Sequence, residues 1–284
     1  MVFADLSDPS CFLQTALIFF AVITGRYFLV AGLFYSAFYL WFPIKWRNRK
    51  LSRKPYPSGQ FRKEVIWSII TAVIFSFAGT LTVWFWQKGY TKVYTDIDLY
   101  GLAYLPVSLL IMMFLHESYY YWLHRWMHTK PIFKIVHKVH HDSHITSPFT
   151  AFSFHPLEGL LQAVFLPGIL LFLPVHYYVI LFQLIIMTLS GVINHLNIEI
   201  YPKNFNKNVI GKWLIGATHH SLHHKQFKYN FGLYFTFWDK IRKTESPLYD
   251  ELFSKSTLSA DNKQIENAGV NSSNAPSDPH NIVK

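Results

Sequence analysis

Cysteine is almost absent from this chain of 284 residues, in which Cys11 is the only example. An intrachain disulfide is therefore excluded, and so is a structural zinc site built on several thiolates. Charge is also scarce, because Asp, Glu, Lys and Arg make up only 15% of the residues, whereas soluble domains usually carry about 25%. Apolar residues reach 51% and aromatic residues 18%, so the composition is typical of a membrane protein.

Acidic residues are the scarcer of the two signs of charge, and the formal net charge is +10. A nucleic-acid-binding protein would interleave its basic residues with aromatic ones in a polar domain. Here Lys and Arg flank apolar runs instead, which is typical of residues that anchor helices at a lipid surface. The sequence therefore predicts no nucleic-acid partner.

The two ends of the chain lack the residues of a signal peptide and of a folded core, respectively. The first ten residues have none of the positive charge of a cleaved signal peptide, and they contain Asp5 and Asp8. The stretch 254–284 is rich in Ser, Asn, Asp and Lys and has almost no large apolar residues. Such a composition cannot bury a core. We therefore expect no cleaved leader and a disordered polar tail over 254–284.

Long apolar runs are abundant in the rest of the chain, and about 20 apolar residues are enough to span a bilayer. The predicted spans are 11–42, 66–86, 100–122, 157–173 and 177–194. The first is one long or kinked crossing, with two shorter crossings as the alternative. The last two are close to the lower length limit and are interpreted as a helical hairpin. The pattern predicts an all-α integral membrane protein with about four to five transmembrane helices.

The positive-inside rule gives these helices an orientation, because loops rich in Lys and Arg stay cytoplasmic. The linker 45–54 holds six basic residues and no acid, so it is predicted to be cytoplasmic. The N-terminus and the loop 88–98 then lie on the other side. An even number of predicted crossings separates the linker from 124–155 and from the region after the hairpin, so both are predicted to lie on the cytoplasmic face. The histidine-rich segments therefore meet on one side, as a shared site requires.

Histidine is the residue in excess, because fourteen of the fifteen histidines lie between His116 and His224. His124 and His128 form an i,i+4 pair, whose rings share one face of a helix. Two later clusters repeat the spacing His-x-x-His-His, in which the rings at i+3 and i+4 splay apart so that one short helix can reach two metals. Their members are His137, His140 and His141, and then His220, His223 and His224.

Imidazole nitrogen suits zinc, copper, iron and nickel. Eight or more histidines without a nearby cysteine suit two metals that take four or five ligands each. Neutral ligands leave the metal charge uncompensated, so carboxylates are expected to hold ring N–H groups. The candidates for that role are Glu117, Asp142, Glu199 and Asp239, while His116, His155 and His219 are candidates for either a ligand or a supporting position.

Two other classes of protein fit part of the pattern. A membrane zinc hydrolase would hold one tightly bound zinc and would need no O₂. A metal transporter or storage protein would place polar ligands along a path at mid-membrane, whereas the boxes lie outside the apolar runs. A redox metal that oxidises a C–H bond fits best, because no side chain alone is a strong enough oxidant.

The order of the motifs resembles the fatty acid hydroxylase/sterol desaturase superfamily, and within it the sterol C5-desaturase branch. The resemblance covers residues 61–249 and rests on the three boxes, with Phe154-His155-Pro156, Asn230-Phe231-Gly232 and Trp238-Asp239 in support. It implies that the family's metal ligands correspond to the eight box histidines. It also implies that His195 corresponds to a further histidine between the last two boxes.

The resemblance further implies a non-haem enzyme with two Fe that uses O₂ and two electrons to hydroxylate or desaturate a lipid. A sterol or related lipid is favoured, with fatty acyl and carotenoid substrates as alternatives. The electrons would come from a separate carrier of the cytochrome b5 or ferredoxin type and its reductase. We expect an N-terminal membrane segment and basic linker over 1–60 and a catalytic domain over 61–253. A cytoplasmic, helical, histidine-rich di-metal domain would cap the helices at the endoplasmic reticulum or bacterial inner membrane.

Overall fold

The computed structural model describes residues 4–258, which are mostly helical. The α-helices of this part are α1 (Pro9–Tyr35), α2 (Pro43–Trp46), α3 (Gln60–Gln87), α4 (Tyr104–Met127), α5 (Lys130–Ile132), α6 (Lys138–His141), α7 (Pro156–Ala163), α8 (Phe165–Leu170), α9 (Tyr177–Asn194), α10 (Ala217–Gln226), α11 (Phe237–Ile241) and α12 (Tyr249–Thr257). Two π-helical turns, Ser36–Trp41 and Phe133–His137, join some of them. The predicted all-α class is confirmed.

Three helices of the described part are long and apolar enough to cross a membrane, namely Pro9–Trp41, Gln60–Gln87 and Tyr177–Asn194. They correspond to three of the five predicted spans. The predicted span 100–122 corresponds to α4, which has 24 residues but buries polar side chains such as His116 and Glu117. The helices α7 and α8 form a shorter apolar unit. The structure therefore supports an integral membrane protein, while the predicted count of four to five spans is not confirmed.

The helix α1 begins where the sequence provides a cap. The side chain of Asp8 accepts hydrogen bonds from the amides of Ser10 and Cys11, and a proline occupies the first helical position. The helix then packs along α3, where a Cβ at Gly79 would lie only 2.9 Å from the ring of Phe19. Glycine at this position lets the two helices approach each other closely.

The helices α4 and α9 face each other and carry the chain towards the histidines. Met112 and Val179 pack together in an apolar cluster between them. The short strands β1 (Val93–Tyr94) and β2 (Val175–His176) pair in parallel and tie together the turns that precede these helices. Both helices therefore start at one end of the bundle and end at the other, where His124 and His195 lie.

The basic linker after α1 is joined to the segment that follows α9. The guanidinium of Arg49 donates to the carbonyl oxygens of Glu199, Ile200 and Tyr201, across about 150 residues of sequence. The backbone of Arg49 accepts from the amide of Glu199 in return. The predicted division at residue 60 therefore separates two segments that pack against each other.

The polar tail begins later than predicted. The helix α12 continues to Thr257, and Ser256 and Thr257 are buried. The predicted boundary at 254 is wrong by these residues, because the ring of Phe253 packs with Tyr249 and anchors the last helix. The remainder of the predicted tail, from residue 259, lies outside the described residues.

Candidate metal centre

Four elements at the ends of α4 and α9 carry nine buried or nearly buried histidines. They are the end of α4, the π turn continuing into α6, the residue that caps α9, and α10. The helix α10 is polar in composition but buried from Ala217 to His224. Its first turn is fixed by Glu199, whose carboxylate accepts from the amide of Thr218 at 3.0 Å.

The nine rings separate into two groups, and within each group the ligand atoms all lie within 4.8 Å of one another. The five-histidine cluster consists of His124, His128, His137, His141 and His223. The four-histidine cluster consists of His140, His195, His220 and His224. Each His-x-x-His-His box contributes to both clusters, so the splayed rings of one short helix reach two neighbouring centres. The clusters touch where the rings of His141 and His224 lie 4.5 Å apart.

Backbone carbonyl oxygens determine which ring nitrogen carries the hydrogen. The Nδ1 atoms of four rings lie against carbonyls: His124 on Phe231 at 2.9 Å, His140 on Ser153 at 3.3 Å, His195 on Gly191 at 2.7 Å and His223 on Tyr229 at 2.7 Å. A carbonyl oxygen only accepts, so each of these Nδ1 atoms must be the donor. The lone pair of each neutral ring is then on Nε2, which points into its cluster.

Facing lone pairs show that the clusters fit metal ions. Nε2 of His140 lies 3.2 Å from Nε2 of His195, and the Nδ1 hydrogens of both rings are already used. Two such acceptors repel each other unless a cation lies between them. A metal with M–N bonds of about 2.0–2.1 Å separates neighbouring nitrogens at right angles by about 3 Å. The other Nε2 pairs, such as His124 with His137 at 3.1 Å, have the same spacing.

Burial keeps these rings in the form that binds metal. Removal from water lowers the pKa of His124 and of His195 to about 4. The pKa of His140, His220 and His224 falls well below its ordinary value for the same reason, and neighbouring imidazoles lower it further. Neutral imidazole is the ligand form, so the rings need no deprotonation step at neutral pH.

Glu158 on α7 is the supporting residue that the sequence analysis missed. Its Oε1 lies 2.8 Å from Nδ1 of His137 and both side chains are fully buried, although the contact lies outside ideal hydrogen-bond geometry. The available signal was the sequence Phe154–Glu158, because His155 and Pro156 start α7 and place Glu158 in its first turn. Glu158 lies within the predicted span 157–173, and its apolar neighbours in sequence conceal its role in the site.

Two of the predicted supporting acids do not touch a clustered ring. Asp142 follows a box directly, but it is exposed and its carboxylate lies 2.6 Å from Nζ of Lys138. Its predicted contact with a ring is wrong, because the side chain leaves the helix on the solvent side. Glu199 is buried, with its pKa raised by that burial, and it holds the start of α10 instead of a ring.

The other two acids act on the site through a loop. The carboxylate of Glu117 accepts from the amides of Leu233, Tyr234 and Phe235. The carboxylate of Asp239 accepts from the amides of Phe231 and Gly232, which begin the same loop, 231–235. Burial raises the pKa of Asp239 to about 6. The loop in turn presents the carbonyl that fixes His124. Both acids therefore position a ring indirectly.

The three remaining candidate histidines lie outside both clusters. His116 is buried in α4, where its Nδ1 lies 3.0 Å from the hydroxyl of Tyr234. His155 caps α7 and accepts from the amide of Leu157. His219 is fully buried, its ring makes no hydrogen bond within the described residues, and Asp239 lies 3.8 Å away.

Comparison with known proteins gives a consistent picture. Residues 109–244 match the model of a family described as fatty acid hydroxylase. Lathosterol oxidase of Homo sapiens is 35% identical over 160 residues, which cover 54% of this chain and 50% of that protein. Delta(7)-sterol 5(6)-desaturase of Saccharomyces cerevisiae is 31% identical over 199 residues, covering 66% and 52%. The corresponding enzyme of Gibberella zeae is 31% identical over 156 residues, covering 54% and 46%.

These matches are partial in length. The chain spans about half the length of the curated relatives that it matches. No solved structure matches it.

Proposed function

We propose that this chain, which carries a fatty acid hydroxylase domain over residues 109–244, is a membrane oxidoreductase that hydroxylates or desaturates a lipid. The family resemblance inferred from the histidine boxes is confirmed by that match and by the sterol desaturases among its relatives. The proposed reaction uses O₂ and two electrons, and the proposed substrate is a sterol or related lipid. Fatty acyl and carotenoid lipids are the alternative substrates.

The pairs of facing Nε2 atoms are the observation that carries this proposal. The protein aligns nine nitrogen donors in two adjacent groups and fixes several of them by backbone carbonyls. We propose that the groups hold two non-haem irons, with His124, His128, His137, His141 and His223 around one, and His140, His195, His220 and His224 around the other. Iron bound there would supply the redox chemistry that oxidation of a C–H bond requires.

The chain's own residues orient the rings and exclude water. Eight of the nine clustered histidines are fully buried, and the ninth, His128, is partly exposed. Tyr120 is buried one turn before His124 and its ring packs 5.1 Å from that imidazole, which closes the site on the α4 side. Such a dry site prevents side reactions with water.

A lipid substrate is supported by the surface around the end of α4. An open apolar groove on this helix is lined by Leu115, Ser118, Tyr119, Trp122, Leu123 and Trp126. The groove lies on the same helix as His124, and we propose that its apolar lining faces the bilayer, so that a lipid could enter it without crossing water. The names of the relatives favour a sterol for this chain.

We propose that the metal centre lies on the cytoplasmic face of a multi-pass protein, in the endoplasmic reticulum or a bacterial inner membrane. The basic linker supports this side of the membrane, because it contacts the segment that follows His195 of the four-histidine cluster. A separate carrier of the cytochrome b5 or ferredoxin type would then deliver electrons from the cytoplasm. Residues 61–253 are the proposed catalytic domain.

The experiment supplies membranes that contain the protein with a Δ7-sterol, an electron-donor system and ¹⁸O₂. A product two mass units lighter indicates desaturation, and a product that gains one ¹⁸O indicates hydroxylation. An unchanged sterol beside an altered fatty acyl or carotenoid pool would replace the substrate but keep the reaction class. Turnover that continues under argon without a donor would exclude an oxidase and favour a zinc hydrolase. Metal uptake without any turnover would favour a metal-handling protein.

A further inference from the structure

The metal centre approaches solvent at one place in the described structure. His128 of the five-histidine cluster is the one clustered histidine that is not fully buried. Its ring lies 4.6 Å from that of His223 and 4.8 Å from those of His137 and His141. A molecule at the surface beside His128 is therefore separated from the cluster by a single ring.

Two partly exposed aromatic rings flank His128 at this place. The ring of Phe133 lies 5.4 Å from His128 and 5.6 Å from Phe227. Phe227 packs on His141 at 4.8 Å. Phe227 also has φ of 65°, in the left-handed region that bulky residues rarely adopt. Packing against the histidines must hold it there, so the position of this ring is part of the site.

The surface around these two rings is basic. The segments 127–139 and 221–233 contain five lysines and no acidic residue. Lys130, Lys134 and Lys228 are exposed and lie within three residues of Phe133 or Phe227. The other two lysines have partners within the chain: Lys138 forms an ion pair with Asp142, and Lys225 donates to the carbonyl oxygen of Leu51.

We propose that Phe133 and Phe227, with the exposed Lys130, Lys134 and Lys228 around them, form the docking site of an acidic electron-carrier protein. This lysine-rimmed surface rests on the proposed function, because it serves that oxidation. In each encounter a reduced carrier would be oxidised by one electron, and the iron proposed to be held by the five-histidine cluster would be reduced by it; no bond is made or broken, and Phe133 and Phe227 provide the contacts between the two partners. Two encounters supply the two electrons that one turnover consumes.

Charge complementarity is the reason for an acidic partner. Like charges across an interface are costly, whereas opposite charges steer a transient partner to its site and speed its association. Electron-transfer partners bind through small interfaces that must release quickly. Two rings within a rim of lysines suit such an encounter better than a large apolar surface would.

The test measures binding of the soluble haem domain of cytochrome b5, in a form with net negative charge, to the full chain in nanodiscs of neutral lipid. The double variant Lys134→Glu/Lys228→Glu reverses two charges on the proposed surface. The matched control Lys203→Glu/Lys207→Glu reverses two exposed lysines outside it. At low ionic strength the first variant is expected to slow association by about tenfold or more, and the control by much less. The difference should shrink at about 1 M salt, where screening acts within about 3 Å.

A second arm separates docking from electron transfer. Phe133→Leu keeps the charge and an apolar side chain, so binding should weaken much less than in Lys134→Glu/Lys228→Glu, while re-oxidation of the reduced carrier should slow because an aromatic contact is lost. Equal loss of binding in both double variants would overturn the docking site. The site is equally overturned if neither cytochrome b5 nor an acidic ferredoxin binds, or if only binding to anionic vesicles changes.

The proposed function is tested separately by driving the protein with a small chemical reductant. Turnover that persists in Lys134→Glu/Lys228→Glu with this reductant, while carrier-driven turnover falls, supports both proposals. Absence of turnover with every donor, alongside specific carrier binding, would leave the docking site in place and reject the oxidase.

Discussion

Replacing Glu158 by glutamine tests whether this buried carboxylate supports the five-histidine cluster. Glu158→Gln keeps the size and an oxygen at the same position but replaces an ionisable carboxyl group, 2.8 Å from Nδ1 of His137, by an amide that cannot carry a negative charge. Loss of a carboxylate behind a metal-ligating histidine typically lowers metal affinity by about 10- to 100-fold, which corresponds to about 1.4–2.7 kcal/mol. Because solvent reaches neither side chain, little screening reduces the effect, and we expect the upper part of that range.

The assay is competition between the purified protein and a calibrated chelator, with both metals followed separately. Glu158→Gln should weaken one of the two metals and leave the other close to wild type, because His137 belongs to one cluster only. The matched control is Asp142→Asn, which removes a carboxylate that follows the box but contacts Lys138. Affinity in Glu158→Gln within twofold of wild type, or an equal loss in Asp142→Asn, would refute the reasoning. Unchanged helix content by circular dichroism confirms that the variant is folded.

Three further outcomes are expected. His140→Ala and His223→Ala should each abolish activity and lower the metal content from about two per chain towards one, measured by mass spectrometry, because they belong to different clusters. Burial lowers the pKa of clustered rings to about 4, so between that pH and about 6.5 the unfolded chain binds more protons than the folded one. The unfolding temperature of chelator-treated protein should therefore fall as the pH drops below about 6.5 and stay flat above it. Truncation after Ser259 should keep metal and activity, whereas truncation after Tyr249 removes the buried Phe253 and should lose both.

The spacing of histidines was enough to predict the centre of the site, because it follows from helix geometry alone. Residues at i+3 and i+4, such as His140 and His141, both lie near the face of His137, but because they are adjacent in sequence their rings splay apart. The sequence could not show which histidine joins which cluster across elements. That depends on how α10 packs beside α6, which is a property of the whole fold.

Supporting residues were harder to predict, because proximity in sequence does not determine the direction of a side chain. Asp142 follows a box and faces solvent, while Glu158 lies 21 positions from His137 and touches it. His219 precedes a box directly but lies outside both clusters. Glu158 lies within an apolar stretch that resembles a membrane span, so the sequence gives little sign that its carboxylate belongs to a polar site.

The contact between Arg49 and the carbonyls after α9 has a consequence for how the protein is made. Arg49 leaves the ribosome about 150 residues before the carbonyls that it binds. During synthesis the basic linker must therefore remain without these partners while the later helices are inserted. Contacts of such separation close a large loop and form late. Newly made chains should thus expose the histidine segments until synthesis passes residue 224, so that metal loading follows insertion of the helices into the membrane.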